Sequence, residues 1–175
     1  MFLNGFDDNY TNDENTQSYS DLDAADIAIN KYKDEIKRVH DSLDKKVLMN
    51  MCEYIKNAEG IDIYAKGIDI TLAEGLQDKL CQNGKDCLLI YSNDEINNDR
   101  LTIIISLGVE DIDNINMIKE DNFVIGILSN NNTLEKICDE AIIVDNEDVF
   151  QRYTDVTYII DIIHLLLMKR QKDNA

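Results

Sequence analysis

Two glycines stand where an anion could be held. Gly67 and Gly108 each follow a short apolar run by two or three residues and precede a stretch of helical periodicity. In an open parallel sheet, such turns at the carboxyl ends of strands are where ligands bind, and the free N–H groups of a helix start favour negative charge. One such glycine commonly does no more than let the chain turn tightly; two on successive turns would face one crevice. Lys66, Asp69, Ser106 and Glu110 flank the pair. Other chemistry is thinly supplied. The chain has two histidines: His40 precedes the strands, and His164 lies in an apolar helical stretch where it reads as a packed residue rather than a catalyst. Acids are too abundant for any one Glu to stand out as a general acid or base. Cys52, Cys81, Cys87 and Cys138 form no CxxC pair, so no metal site is expected, and their apolar neighbours suit reduced, buried thiols. No cofactor is expected either, since a GxGxxG run is absent and there is no tryptophan to stack on a flavin.

The elements that would position these turns follow from periodicity. Leu22, Ala25, Ile29, Tyr32, Ile36, Val39 and Leu43 recur at steps of three and four, which predicts a helix over about Asp23 to His40 with one apolar stripe that needs something to lie on. Ser42 offers a capping hydroxyl for a second helix, buried through Val47, Leu48, Met51, Cys52 and Ile55 and stopped by Gly60. Five apolar runs then predict five strands: Ile61 to Ala65, Cys87 to Tyr91, Leu101 to Ile105, Phe123 to Leu128 and Ala141 to Val144. They lack polar alternation, as strands covered on both faces do, and most of the intervening segments are long enough for crossover helices. The Asn-rich stretch between Tyr91 and Leu101 reads as a loop. A last helix, about Phe150 to Gln171, is apolar on nearly every face of its centre.

Composition limits what the chain can do. Its 175 residues, 44% hydrophobic, fill one core of ordinary domain size. With 17 Lys and Arg against 35 Asp and Glu the formal charge is -18, so the surface repels nucleic acid and anionic membranes. No apolar run reaches the roughly 20 residues of a membrane span, and Met1 to Phe6 lack the basic start and apolar core of a secretory signal. A soluble, cytoplasmic chain is expected. Residues 1–21 read as an acidic flexible tail or linker, ahead of one domain over 22–175.

The turns resemble those of the sugar isomerase (SIS) domain, and more narrowly the one carried by RpiR-type transcriptional regulators, over about residues 43 to 170. The family's first strand ends in Gly-x-Gly-x-Ser. Ile63-Tyr64-Ala65-Lys66-Gly67-Ile68-Asp69 keeps the second glycine, with Ala65 for the first and Asp69 for the serine. The third ends in Ser-x-Ser-Gly-x-Thr; Ile105-Ser106-Leu107-Gly108-Val109-Glu110 keeps a serine and the glycine, is one residue shorter, and ends in Glu110. The fourth runs into a turn similar to Val124 to Asn131, including Ser129. Cys138-Asp139-Glu140-Ala141 matches the entry to the fifth, and the apolar C-terminal stretch matches the last helix. The resemblance implies a three-layer α/β/α sandwich whose five parallel strands run in the order 2-1-3-4-5. It also implies a phosphosugar crevice at Lys66, Gly67, Asp69, Ser106, Gly108, Glu110 and Ser129, and pairing of two copies through helices.

Asp69 and Glu110 alter that crevice. A carboxylate at a helix start is itself stabilising, by about 0.5–2 kcal/mol, and it repels a phosphate: two unit charges about 4 Å apart cost about 4 kcal/mol at an effective dielectric near 20. Lys66 offsets one charge at most. The leading expectation is therefore a non-catalytic, effector-sensing and homodimerising SIS domain of an RpiR-like regulator of carbohydrate use. It would reach DNA only through a helix-turn-helix head outside this chain, with a sugar phosphate or another small molecule as effector and no membrane contact. The alternative is a stand-alone phosphosugar isomerase, and the third reading is a flavodoxin-like module that binds a nucleotide or flavin at the same edge.

Overall fold

In the computed structural model, residues 21–91, 99–108 and 122–172 are described. The acidic tail, most of the Asn-rich loop and the segment holding Glu110 lie outside them, as does the crossover expected between the third and fourth strands. Helix α1 (Asp21–Ser42) is divided after Asp34 between two compact units. In the first unit Ile27, Ile29 and Tyr32 are at least half exposed. In the second, Ile36 is exposed as well, while Val39 is buried and Leu43 packs on the core. Among the side chains described, the predicted stripe is thus buried only in its last turns.

Helix α2 (Lys45–Asn57) buries Leu48, Met51, Cys52 and Ile55, one face at helical spacing. Its cap is Asp44 rather than Ser42. Asp44 has the extended backbone a cap needs, and its Oδ1 accepts from Lys46 N at 2.8 Å and Val47 N at 3.2 Å. The Ser42 hydroxyl instead donates to Val39 O. Nor does Gly60 stop the helix, which ends at Asn57 with Ala58 as cap. Lys85 Nζ donates to Lys56 O and Ala58 O there, placing a cation on the last carbonyls.

Strands β1 (Gly60–Ala65), β2 (Asp86–Ile90), β3 (Leu101–Ser106), β4 (Val124–Ser129) and β5 (Glu140–Val144) form one parallel sheet in the order β2-β1-β3-β4-β5. Helices α3 (Ile70–Gln82), α2 and α4 (Val149–Lys172) flank one face, where Ile61, Ile103, Ile125 and Ile142 meet Leu76, Met51 and Ile159. The other face gathers Tyr64, Ile90, Ile104, Val124 and Leu128, with Leu134 from the 3-10 turn Thr133–Ile137. This is the expected α/β architecture, and it brings the carboxyl ends of β1, β3 and β4 side by side. Among the described residues no helix is long and apolar enough to cross a membrane.

Candidate functional site at the carboxyl edge of the sheet

Lys66 leaves β1 with extended backbone, and Gly67 turns the chain at φ +58°, a conformation that costs most other residues. A 3-10 turn, Gly67–Asp69, then runs directly into α3. For this reason Asp69 does not cap the helix as the sequence leads one to expect: its own backbone is already helical, so the side chain cannot fold back on the helix start. The buried carboxylate reaches outward instead. Oδ2 accepts from Leu107 N at 2.9 Å and Oδ1 accepts from the Tyr153 hydroxyl at 2.8 Å, joining the turns after β1 and β3 to the start of α4.

Leu107 is held from its carbonyl side too. Arg152 Nη1 donates to Leu107 O at 2.6 Å, and the rest of the guanidinium is engaged by Asn146 O and Glu147 O. Asn132 Nδ2 donates to Ser106 O and Ser106 Oγ, both at 3.0 Å, while Asn132 Oδ1 caps the next turn through Leu134 N. Ser129 is buried beneath, its carbonyl accepting from Asn132 N. Lys66 Nζ stands 6.0 Å from the centre of the Tyr64 ring, at the outer limit of a cation–π contact.

Of the residues expected from sequence, Lys66, Gly67, Asp69, Ser106, Gly108 and Ser129 therefore lie at one edge of three adjacent strands. Glu110 is outside the described residues. Sequence reading missed Arg152, Tyr153 and Asn132. The only local signal was a polar Gln-Arg-Tyr start on an otherwise apolar helix and an Asn run after β4.

Burial, together with the hydrogen bond to Asp69, holds the Tyr153 phenol above its ordinary value. Above about pH 10 an unfolded tyrosine loses its proton while folded Tyr153 keeps it, so stability falls as pH rises there. Tyr153→Phe should give a shallower alkaline loss, read as urea midpoints between about pH 9 and 11.

Burial pushes Cys87 and Cys138 up to about 12, so both are thiols at neutral pH. Cys81 departs from the expected burial: it is exposed at the end of α3, and Cys138 is half-buried. Among the described residues no group of His, Cys, Asp and Glu could hold a metal. His164 is half-buried between α3 and α4, with Nδ1 near Asn83 Nδ2 and Lys79 O, as expected of a packed residue.

The sequence matches no protein-family model and no curated protein. Solved structures are similar in fold. The Vibrio vulnificus NanR protein complexed with ManNAc-6P shares 16% identity at a TM-score of 0.75 over 86% of this chain and 64% of that one. The sugar isomerase domain of an RpiR transcription factor from Sphaerobacter thermophilus shares 10% at 0.72, over 85% and 92%. A Methanococcus jannaschii protein whose structure infers a 3-hexulose-6-phosphate isomerase function shares 16% at 0.67, over 83% and 92%. The fold is that of a sugar isomerase domain. These neighbours include a transcription factor domain and a protein of inferred isomerase function, and this chain spans less than two thirds of the NanR protein. In this SIS fold the described turns after β1 and β3 meet at Asp69, whose carboxylate already accepts one backbone amide.

Proposed function

We propose that the chain is a non-catalytic SIS domain that senses a small carbohydrate-derived effector for an RpiR-like transcriptional regulator. In this reading it pairs with a second copy and leaves DNA contact to a helix-turn-helix head. The observation that carries the reading is the Asp69 bridge. An internal carboxylate accepts the Leu107 amide at the edge where an anionic ligand would seek N–H donors, and it meets an incoming phosphate with like charge. The regulator assignment draws on the likeness to the RpiR transcription factor domain, which the Methanococcus jannaschii protein shares at the level of fold.

Pairing is supported by apolar side chains left at the surface of α4, with Leu165 63% exposed and Met168 39% exposed.

The experiment is a calorimetric titration with hexose 6-phosphates, alongside NMR of the same mixtures over hours and light scattering of the protein. The expected result is a dimer with no binding at millimolar sugar phosphate and no aldose–ketose interconversion. Turnover overturns the non-catalytic reading, tight binding overturns the charge argument, and a monomer at micromolar concentration overturns the pairing.

A further inference from the structure

Helix α1 carries an apolar stripe that the chain itself uses only at one end. Leu22, Ala25, Ile29, Tyr32, Ile36, Val39 and Leu43 alternate strictly in steps of three and four, the a and d positions of a heptad repeat. The positions that flank its first half are Asp26, Ala28, Lys33 and Glu35, so no third apolar column widens the seam. A helix that packs on a sheet shows a broader face, as α2 does with Leu48, Met51, Cys52 and Ile55. A strict, narrow seam suits one helix lying along another. Val39 and Leu43 belong to the core of the second unit. In the first unit Ala25, Ile29 and Tyr32 are all exposed, the last two by 50% and 60%.

We propose that this open part of the seam docks antiparallel on the same seam of a second copy of the chain. A two-fold contact requires each copy to supply both halves of every pair, and α1 does. With the overlap centred between Ile29 and Tyr32, Ile29 of each copy meets Tyr32 of the other, and Asp26 of each flanks Lys33 of the other. Both charged residues are exposed. A parallel pairing lacks this match, because it sets Tyr32 on Tyr32, Asp21 against Asp26 and Glu35 against His40. Glu35 is already held by Arg38 and Asn146, and His40 lies beside the Tyr158 hydroxyl. The contact takes nothing from α4, so it does not rest on the pairing proposed for that helix.

The test is sedimentation equilibrium of the full chain at about 0.15 M salt, which screens the repulsion between two acidic copies. Circular dichroism checks that each variant keeps its helix. Ile29→Glu puts a carboxylate into the seam and should raise the dissociation constant at least about tenfold. Asp26→Lys and Lys33→Glu each turn two attractive pairs into repulsive ones and should raise it about threefold. The double variant reverses both charges and should return the constant to within about twofold of the wild type. In a parallel pairing Asp26→Lys would instead tighten association, by attracting Asp21. No self-association of the wild type up to about 0.5 mM would overturn the proposal together with the pairing through α4. An unchanged constant in Ile29→Glu, tighter association in Asp26→Lys, or a double variant without recovery would each overturn the proposal alone.

Discussion

Replacing Arg100 by alanine is expected to destabilise the fold by about 3–5 kcal/mol, a large share of the stability of a domain this size. Arg100 sits at the amino edge of the sheet, opposite the candidate site. Its Nε donates to Asp62 Oδ1 and its Nη1 to Asp86 Oδ2, each at 2.6 Å, while Nη2 donates to Ile61 O and Asp86 O. The two ion pairs differ in kind. Asp86 is 66% exposed and solvent screens it, whereas Asp62 is 1% exposed within β1. Removing the guanidinium takes a 2.6 Å ion pair from the buried Asp62 carboxylate, and that loss outweighs the one at exposed Asp86. Burial alone would pull the Arg100 pKa down, but Asp86 and Asp62 outweigh it and hold the value raised.

Gly60 belongs to the same device. A Cβ there would stand 2.1 Å from Arg100 Nη1, so the guanidinium lies where a side chain would be. Gly60→Ala must displace a group held by four hydrogen bonds. In an Arg100→Ala background that clash is gone, so the two substitutions should be less than additive by about 1–3 kcal/mol in urea midpoints. Full additivity would mean that Arg100 does not occupy the space over Gly60.

The sheet was legible because its strands are short, uninterrupted Ile, Leu and Val runs. Every observed strand begins within one residue of the run that announced it, since burial on both faces leaves a strong mark on composition. The strand order came from resemblance, because periodicity does not say which runs become neighbours. Side-chain direction was not legible. Ser42 and Asp44 are both good caps two residues apart, and only the extended backbone at Asp44 decides between them. Arg100 meets Asp62 across 38 positions and Tyr153 meets Asp69 across 84, pairings that exist only once the sheet has formed. For Asp69 the sequence placed the residue correctly and its carboxylate wrongly, because a 3-10 turn fused to α3 removes the backbone geometry of a cap.

That correction changes what substitution of Asp69 should do. As a cap, Asp69 could become serine at little cost, since serine also caps. As a bridge, it cannot, because the shorter side chain does not span Leu107 N and the Tyr153 hydroxyl together. Asp69→Ser should lose about 1–3 kcal/mol, the cost of leaving a buried donor unmade. Asp69→Asn keeps the shape and one acceptor, so its loss should fall at the lower end of that range. Both variants remove the carboxylate charge, whose repulsion of a phosphate about 4 Å away amounts to about 4 kcal/mol. Even a modest fraction of this, about 1.4 kcal/mol, raises affinity tenfold. A folded Asp69→Asn protein titrated with hexose 6-phosphates should therefore bind at least tenfold more tightly than the wild type while melting at a lower temperature. Stability and affinity should move in opposite directions if the carboxylate that bridges Leu107 and Tyr153 is also, as proposed, what repels phosphate. A folded Asp69→Asn variant with unchanged affinity would break that link, leaving Asp69 as a structural bridge and moving the barrier to phosphate elsewhere in the turn.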